Sequence, residues 1–308
     1  MQVTFYGGTR EVTGSMHMVS TASDRVLFDC GLFQGRRKDA AEKNRVMPFN
    51  PQILTNVVLS HAHIDHSGRL PLLAKNNFTG RIFATRATQG ACEYLLPDSA
   101  HIQESDADYL NYKKVRSLLA EIGAGKGGET ATKREAAKAQ KLLKSGKNRL
   151  DRQAINAFIE KYGLSRAQAL YSSEDAAHAL ECFDGIPYNT EVTIGKDMGL
   201  TFYEAGHILG SAISLVKYRR GDRTFTLCYT GDLGRFDKPI IRDPALDFKE
   251  EDREVDLMIM ESTYGNRLHE GTDDLYQRVR EELTATFKRK GTLVIPSFAF
   301  GRAQELLY

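Results

Sequence analysis

Val57-Val58-Leu59-Ser60-His61-Ala62-His63-Ile64-Asp65-His66 runs from an apolar strand into three imidazoles and a carboxylate within six residues. Such crowding is costly unless a cation holds it together, because adjacent imidazolium ions repel and adjacent neutral rings compete for donors. His61 and His63 lie two apart, so in an extended segment both rings face one side and offer neutral nitrogens to one divalent ion. Asp65 and His66 come after the strand should end, where a turn swings them toward a second ion. The spacing predicts two adjacent zinc sites.

On either side of this stretch, short runs of β-forming residues alternate with turn residues and helical segments. Val3 to Tyr6, Met16 to Ser20 and Val26-Leu27-Phe28 read as a strand meander that ends in Asp29-Cys30-Gly31, a carboxylate just past a strand with a glycine to turn the chain. After the histidines, Ser67 reads as an N-cap, with Pro71 in the first helical turn. Arg81 to Ala84 reads as a strand and Thr88 to Leu96 as a helix. Further strands read at Leu200 to Tyr203, Ala212 to Tyr218, Thr224 to Tyr229 and Val255 to Met260. This alternation predicts an α/β layer architecture. Asp29, His61, Asp232 and Glu261 each follow an apolar strand directly or within two residues, and ligands in that position converge on one edge of the sheets. His207 stands in a loop between Gly206 and Gly210.

The totals bound the rest. A chain of 308 residues suits one large domain or two modest ones, and a net charge of +2, from 42 Lys+Arg against 40 Asp+Glu, favours no partner class by itself. Its distribution is uneven: Lys113 to Arg149 holds eleven basic and three acidic residues around a Gly123-to-Gly128 break. That reads as a basic helical insertion, about 113–165, of a kind that binds RNA phosphates by releasing counterions or simply keeps a hairpin soluble. Cys30, Cys92, Cys182 and Cys228 are scattered, form no CxxC pair and suit free thiols of a reducing compartment. No leader and no segment of about 20 apolar residues is evident, so a cytoplasmic protein with no membrane partner is expected. His17 reads as structural, His101 and His178 carry no assigned role, and His269 reads as a loop residue.

On these residues the chain resembles the metallo-β-lactamase superfamily and, within it, the prokaryotic branch of the β-CASP ribonucleases related to the cleavage-and-polyadenylation endonuclease. The carrying segments are Leu27-Phe28-Asp29-Cys30-Gly31, His61 to His66, Gly206-His207-Ile208-Leu209-Gly210, Tyr229-Thr230-Gly231-Asp232 and Glu261-Ser262-Thr263-Tyr264-Gly265. The resemblance implies an αββα sandwich over 1–265 with the helical insertion, followed over 266–308 by the truncated start of a β-CASP domain. It implies two Zn2+, the first held by His61, His63 and His207, the second by Asp65 and His66, with Asp232 bridging. Asp29 would orient a ligand, and Glu261 would support a histidine further downstream. Asp65, Asp232, Glu261 and Asp29 form the expected catalytic set.

The expected activity is zinc-dependent hydrolysis of RNA phosphodiester bonds, endonucleolytic or 5′-exonucleolytic. The expected partners are single-stranded RNA and a second copy in a homodimer. Gly291 to Tyr308 reads as the first strand, turn and helix of the β-CASP domain, with Ser297 and Arg302 placed to bind phosphate at the helix start. The histidine that the resemblance implies would complete the second zinc, and the one it implies beside Glu261, have no counterpart in these 308 residues, so the resemblance implies the N-terminal portion of a longer nuclease. Two other functions stay open: a hydrolase of a small thioester or lactam, and a non-catalytic scaffold or fragment.

Overall fold

The computed structural model describes residues 1–123, 141–144, 149–268 and 274–308. Part of the basic insertion (124–140 and 145–148) and His269 lie outside the described residues.

The first sheet begins as the expected meander. β1 (Gln2–Gly7), β2 (Met16–Ser20) and β3 (Arg25–Phe28) pair antiparallel in sequence order. After α1 (Arg37–Arg45), three parallel strands extend the sheet: β4 (Asn56–Val58), β5 (Arg81–Thr85) and β6 (Phe183–Ile186). The crossovers carry α2 (Ile64–Ser67), α3 (Leu70–Lys75), α4 (Arg86–Gly123), α5 (Arg152–Lys161) and α6 (Ser173–Glu181). The second sheet has the order β11-β10-β9-β8-β7, built from β7 (Val192–Thr193), β8 (Met198–Glu204), β9 (Ala212–Arg220), β10 (Arg223–Tyr229) and β11 (Leu257–Ile259). Two helices follow, α7 (Leu275–Lys288) and α8 (Arg302–Leu307).

Alternation along the strands sorts side chains into two cores. Leu27, Val57 and Ile82 point to one face, where Leu70, Leu73, Cys92, Leu96 and Ala176 of the helices cover them. Val26, Phe28, Val58 and Phe83 point to the other, against Leu200, Phe202, Val216 and Leu227 of the second sheet. Each such burial contributes about 1.5–3 kcal/mol, and a one-residue slip in β3 or β4 would send each set into the core shaped for the other. The fold is an α/β sandwich of two sheets with helices packed on the first, the architecture the resemblance implies. The outer face of the second sheet, formed by Tyr203, Ile213, Leu215 and Cys228, is covered by Leu233, Ala245, Phe248 and Val255. In the basic insertion, α4 and α5 close a separate cluster of Val115, Leu119, Leu143, Ile155 and Ile159.

Strand direction then sets where the loops gather. β3 and β4 are parallel, and in the second sheet β8 and β10 both run antiparallel to β9 while β11 runs parallel to β10. The carboxyl ends that release Asp29, His61, His207, Asp232 and Glu261 therefore lie along one edge of each sheet. A backbone hydrogen bond of 2.9 Å from Ala212 to Ser60 joins the two edges.

Three local expectations change. Ser67 does not cap a helix: it is the last residue of α2, and its hydroxyl donates to the carbonyls of Ala62 and His63 at 2.9 and 3.0 Å. The helix expected at Thr88 to Leu96 continues as α4 through Pro97 to Gly123, because Leu96, Ser99 and Ala100 remain buried against the sheet, which outweighs one missing backbone hydrogen bond. The strand expected near Leu293 is not formed, since no described strand pairs with that run and an unpaired strand leaves its backbone groups unmet.

The second sheet is open on one side. Among the described residues β11 pairs only with β10, and Met258, Met260, Leu268, Tyr276 and Phe287 of the C-terminal region stay exposed. All four cysteines are free thiols, three of them buried. No described helix is long and apolar enough to cross a membrane.

Candidate metal centre

The strand β4 ends at Val58, and the extended residues behind it deliver His61 and His63 as the two-residue spacing requires. His61 Nε2 lies 3.2 Å from His63 Nδ1, which lies 3.2 Å from His207 Nε2. Asp232 Oδ2 completes the set at 3.8 Å from His61 Nε2 and 3.6 Å from His207 Nε2. Ligand bonds of 2.0–2.2 Å in a tetrahedron give edges of about 3.3–3.6 Å, and the four separations, 3.2 to 3.8 Å, scatter around that range. All four lie within 4.8 Å of one another.

Beside them, Asp232 Oδ1 is 3.2 Å from His66 Nε2, and Asp65 Oδ2 is 4.0 Å from the same nitrogen. The two oxygens of Asp232 thus face different donor sets. Asp65, His66 and Asp232 are the donors this second set offers.

Ring tautomers follow from the outer partners. Asp29 is fully buried and sits at φ +57°, in the left-handed region that aspartate tolerates better than most residues. Its Oδ2 accepts from His66 Nδ1 at 2.6 Å and from Ser60 Oγ at 2.9 Å, and its Oδ1 accepts from Ser60 N–H at 2.8 Å. His66 therefore keeps its proton on Nδ1 and turns Nε2 toward Asp232, as an acceptor behind a metal-binding histidine should make it do. Ser60 Oγ also lies 3.0 Å from His61 Nδ1; since its own proton goes to Asp29, His61 donates and turns a bare Nε2 inward. The Phe300 carbonyl hydrogen-bonds the His63 ring, and Phe298 lies 6.1 Å from it.

Electrostatics treat the two donor sets differently: His61 and His207 are held neutral, whereas His66, between Asp29 and Asp232, is held toward its protonated form. Burial, reinforced by the charges of His66, His63 and His207, holds His61 well below the usual imidazole range. Burial likewise lowers His207 to about 4 against the opposing pull of Asp232. Burial would raise the Asp232 carboxyl, but the hydrogen bond and charge of His66, with His207 and His63, outweigh it and hold it at about 2. Burial would lower His66, but Asp29 and Asp232 override it and keep its pKa well above the usual range. Burial raises Asp65.

The remaining expected residues divide. Glu261 holds the Asp232 loop, accepting from Leu233 N–H at 2.9 Å and Thr263 N–H at 3.2 Å. Arg302 lines a groove of about 990 Å³ that also contains His207, Asp232, Arg235, Lys238 and Glu261, and it pairs with Glu305 at 3.0 Å. Ser297 is exposed and lines neither this groove nor a second of about 820 Å³ on the His66 and Gly8 side. At the helix start the Gly301 N–H donates to Gln304 Oε1 at 2.7 Å, so that one amide is engaged within the chain. His17 is structural as expected: it is buried, and its ring stands edge-on to Phe5 and Tyr229.

Sequence reasoning missed Ser60, Ser211 and Lys238. Ser60 was legible as a hydroxyl directly before the first histidine. Ser211 follows Gly210, and its Oγ accepts the His207 and Ile208 amides at 3.0 and 3.2 Å. Lys238 donates to the His207 carbonyl at 2.9 Å across 31 residues, a contact no local pattern announces. Gly31 was read as a turn residue, yet its role is close approach: an added Cβ would stand 1.6 Å from the Asp65 carbonyl oxygen.

Comparison with known proteins adds a second line of observation. Residues 9–82 match the metallo-beta-lactamase superfamily. A ribonuclease of Thermus thermophilus is 30% identical over 308 residues, which span all of this chain and 54% of that one. The transcription termination factor FttA of Methanosarcina mazei is 28% identical over 312 residues, spanning all of this chain and 38% of its own. A probable RNase of Methanocaldococcus jannaschii is 25% identical over 307 residues and 56% of its length. The chain thus spans about half, or less, of the length of these relatives.

Proposed function

The chain belongs to the metallo-β-lactamase superfamily, in its β-CASP ribonuclease branch, and from that premise we propose that it is a zinc-dependent ribonuclease whose substrate is single-stranded RNA. The observation that carries the metal is the pair of donor sets sharing Asp232, at spacings a zinc ion fits. His61, His63 and His207 would hold the first ion and Asp65 and His66 the second, with Asp232 available to either. Two such ions, when bound, supply Lewis acidity and a water acidic enough to ionise near neutral pH. Asp29, Ser60 and Phe300 fix the imidazole tautomers, and Glu261 fixes the Asp232 loop.

RNA as the substrate is supported by the two grooves that flank Asp232, since a small thioester or lactam needs no open cleft of about 990 Å³ with Arg235, Lys238, Arg278 and Arg302 along it. Glu281 and Glu282 share that groove, so the basic residues act as individual phosphate contacts rather than as a uniform field. In this reading residues 1–265 form the metal-binding domain and 266–308 open a second one. The unpaired thiols suit the cytoplasm.

Elemental analysis of the purified chain, paired with cleavage of a labelled single-stranded RNA, tests the proposal. The expected result is zinc in the protein and cleavage that EDTA stops and zinc restores. Zinc-loaded protein that leaves RNA intact while hydrolysing a thioester would overturn it.

A further inference from the structure

We propose that the Tyr229 hydroxyl is a positioning group for the second metal site, holding the Asp29 carboxylate in the orientation that presents His66 Nε2 to Asp232. The inference rests on the two-metal reading above and extends it to a residue that touches neither donor set.

Tyr229 is the last residue of β10 in the second sheet, whereas Asp29 follows β3 in the first. The phenol crosses between them and donates to Asp29 Oδ2. That same oxygen accepts His66 Nδ1 at 2.6 Å, so the phenol and the imidazole share one acceptor, and displacing one moves the anchor of the other. Ser15 Oγ lies 2.9 Å from the phenol oxygen; because the phenol proton goes to the carboxylate, Ser15 is the donor there. The ring itself is fixed, edge-on to Phe28 at 5.4 Å and to His17 at 5.6 Å.

The strand end that carries Tyr229 also delivers the bridging carboxylate. Gly231 follows at φ +54°, and its backbone approaches Ser60 so closely that an added Cβ would stand 2.6 Å from the Ser60 Cβ. Asp232 then places Oδ1 3.2 Å from His66 Nε2. One short segment, Tyr229 to Asp232, therefore sets both partners of the second site: Asp232 directly, and His66 through Asp29.

A purely packing role would need only the ring, since Phe28 and His17 touch its faces and edges rather than its hydroxyl. The hydroxyl is spent on a buried carboxylate that already accepts from Ser60 twice. Outer partners of metal-binding histidines are worth roughly 10–100-fold in metal affinity.

The test is Tyr229→Phe, which keeps the ring and removes the hydroxyl. Zinc affinities are measured by competition with a chromophoric chelator, and the His66 Nδ1 proton is followed by NMR on protein with 15N-labelled histidine. The expected result is a loss of at least about tenfold at the weaker, second equivalent, little change at the first, and a shifted His66 Nδ1 proton resonance. Ser15→Ala should produce a few-fold loss at the same equivalent, and it carries the test if the phenylalanine variant fails to fold. Equal losses at both equivalents, or unchanged affinities with an unchanged resonance, would overturn the proposal. Uptake of a single equivalent by the unaltered chain would instead refute the two-metal reading, and the proton resonance would still decide the role of Tyr229.

Discussion

Replacing His63 with alanine is expected to empty the first metal site while leaving the chain folded. His63 Nδ1 stands 3.2 Å from both His61 Nε2 and His207 Nε2, so it is the vertex through which the donors from β4 and from the His207 loop meet. Without it three donors remain, His61, His207 and Asp232, and the loss should exceed the roughly 10–100-fold that removing an outer partner costs. Folding should survive, because the His63 ring is only partly buried and supports no core cluster. Zinc content by elemental analysis, read beside far-ultraviolet circular dichroism, checks both halves. A variant that keeps the full zinc complement would remove His63 from the ligand set.

Asp29→Ala is expected to act on stability as much as on metal. The side chain is fully buried and accepts from Ser60 N–H, Ser60 Oγ, His66 Nδ1 and the Tyr229 hydroxyl. Truncation strands those donors and leaves His66 without its counter-charge, and breaking a buried pair from one side costs about 3–5 kcal/mol. Alanine at φ +57° adds about 1–2 kcal/mol of backbone strain that aspartate partly escapes. Against a typical domain stability of about 5–15 kcal/mol this is a large share. Urea denaturation of the metal-free chain should therefore show a lower midpoint with an unchanged slope. Asp29→Asn, which keeps the shape and the tolerance for that φ, should lose less. A shift below about 1 kcal/mol for Asp29→Ala would mean that the network around it relaxes freely, against the buried geometry.

The strands were legible because their apolar residues are β-branched or aromatic and are bounded by glycine and aspartate; β3, β8, β9 and β10 fall where the sequence reading puts them, within one or two residues. The candidate site was legible for the same reason, since residues released at strand ends can gather only along an edge. What could not be read was partner choice across long distances. Asp29 was expected to orient some ligand, but that the ligand is His66 depends on the turn of α2, and that turn is closed by the Ser67 hydroxyl, a group equally suited to opening a helix. Ser297 and Arg302 looked alike as phosphate contacts, yet Ser297 is exposed away from the groove that Arg302 lines, and the Gly301 N–H between them donates to Gln304 Oε1. The helix read at Thr88 to Leu96 runs on through Pro97, because burial of Leu96 and Ala100 against the sheet carries it further.

The open flank of the second sheet gives the molecule a temperature-dependent adhesiveness. Among the described residues β11 has no strand on its outer side, and Met258, Met260, Leu268, Tyr276 and Phe287 are exposed. Such an edge invites a strand or an apolar surface from elsewhere, a second copy included. Contacts of this kind are driven by water release rather than by charge, so they tighten on warming and in sulfate, and loosen in the cold. Chilled, low-salt solutions should therefore hold these 308 residues as dispersed particles, and warm ones as clusters whose growth begins at β11.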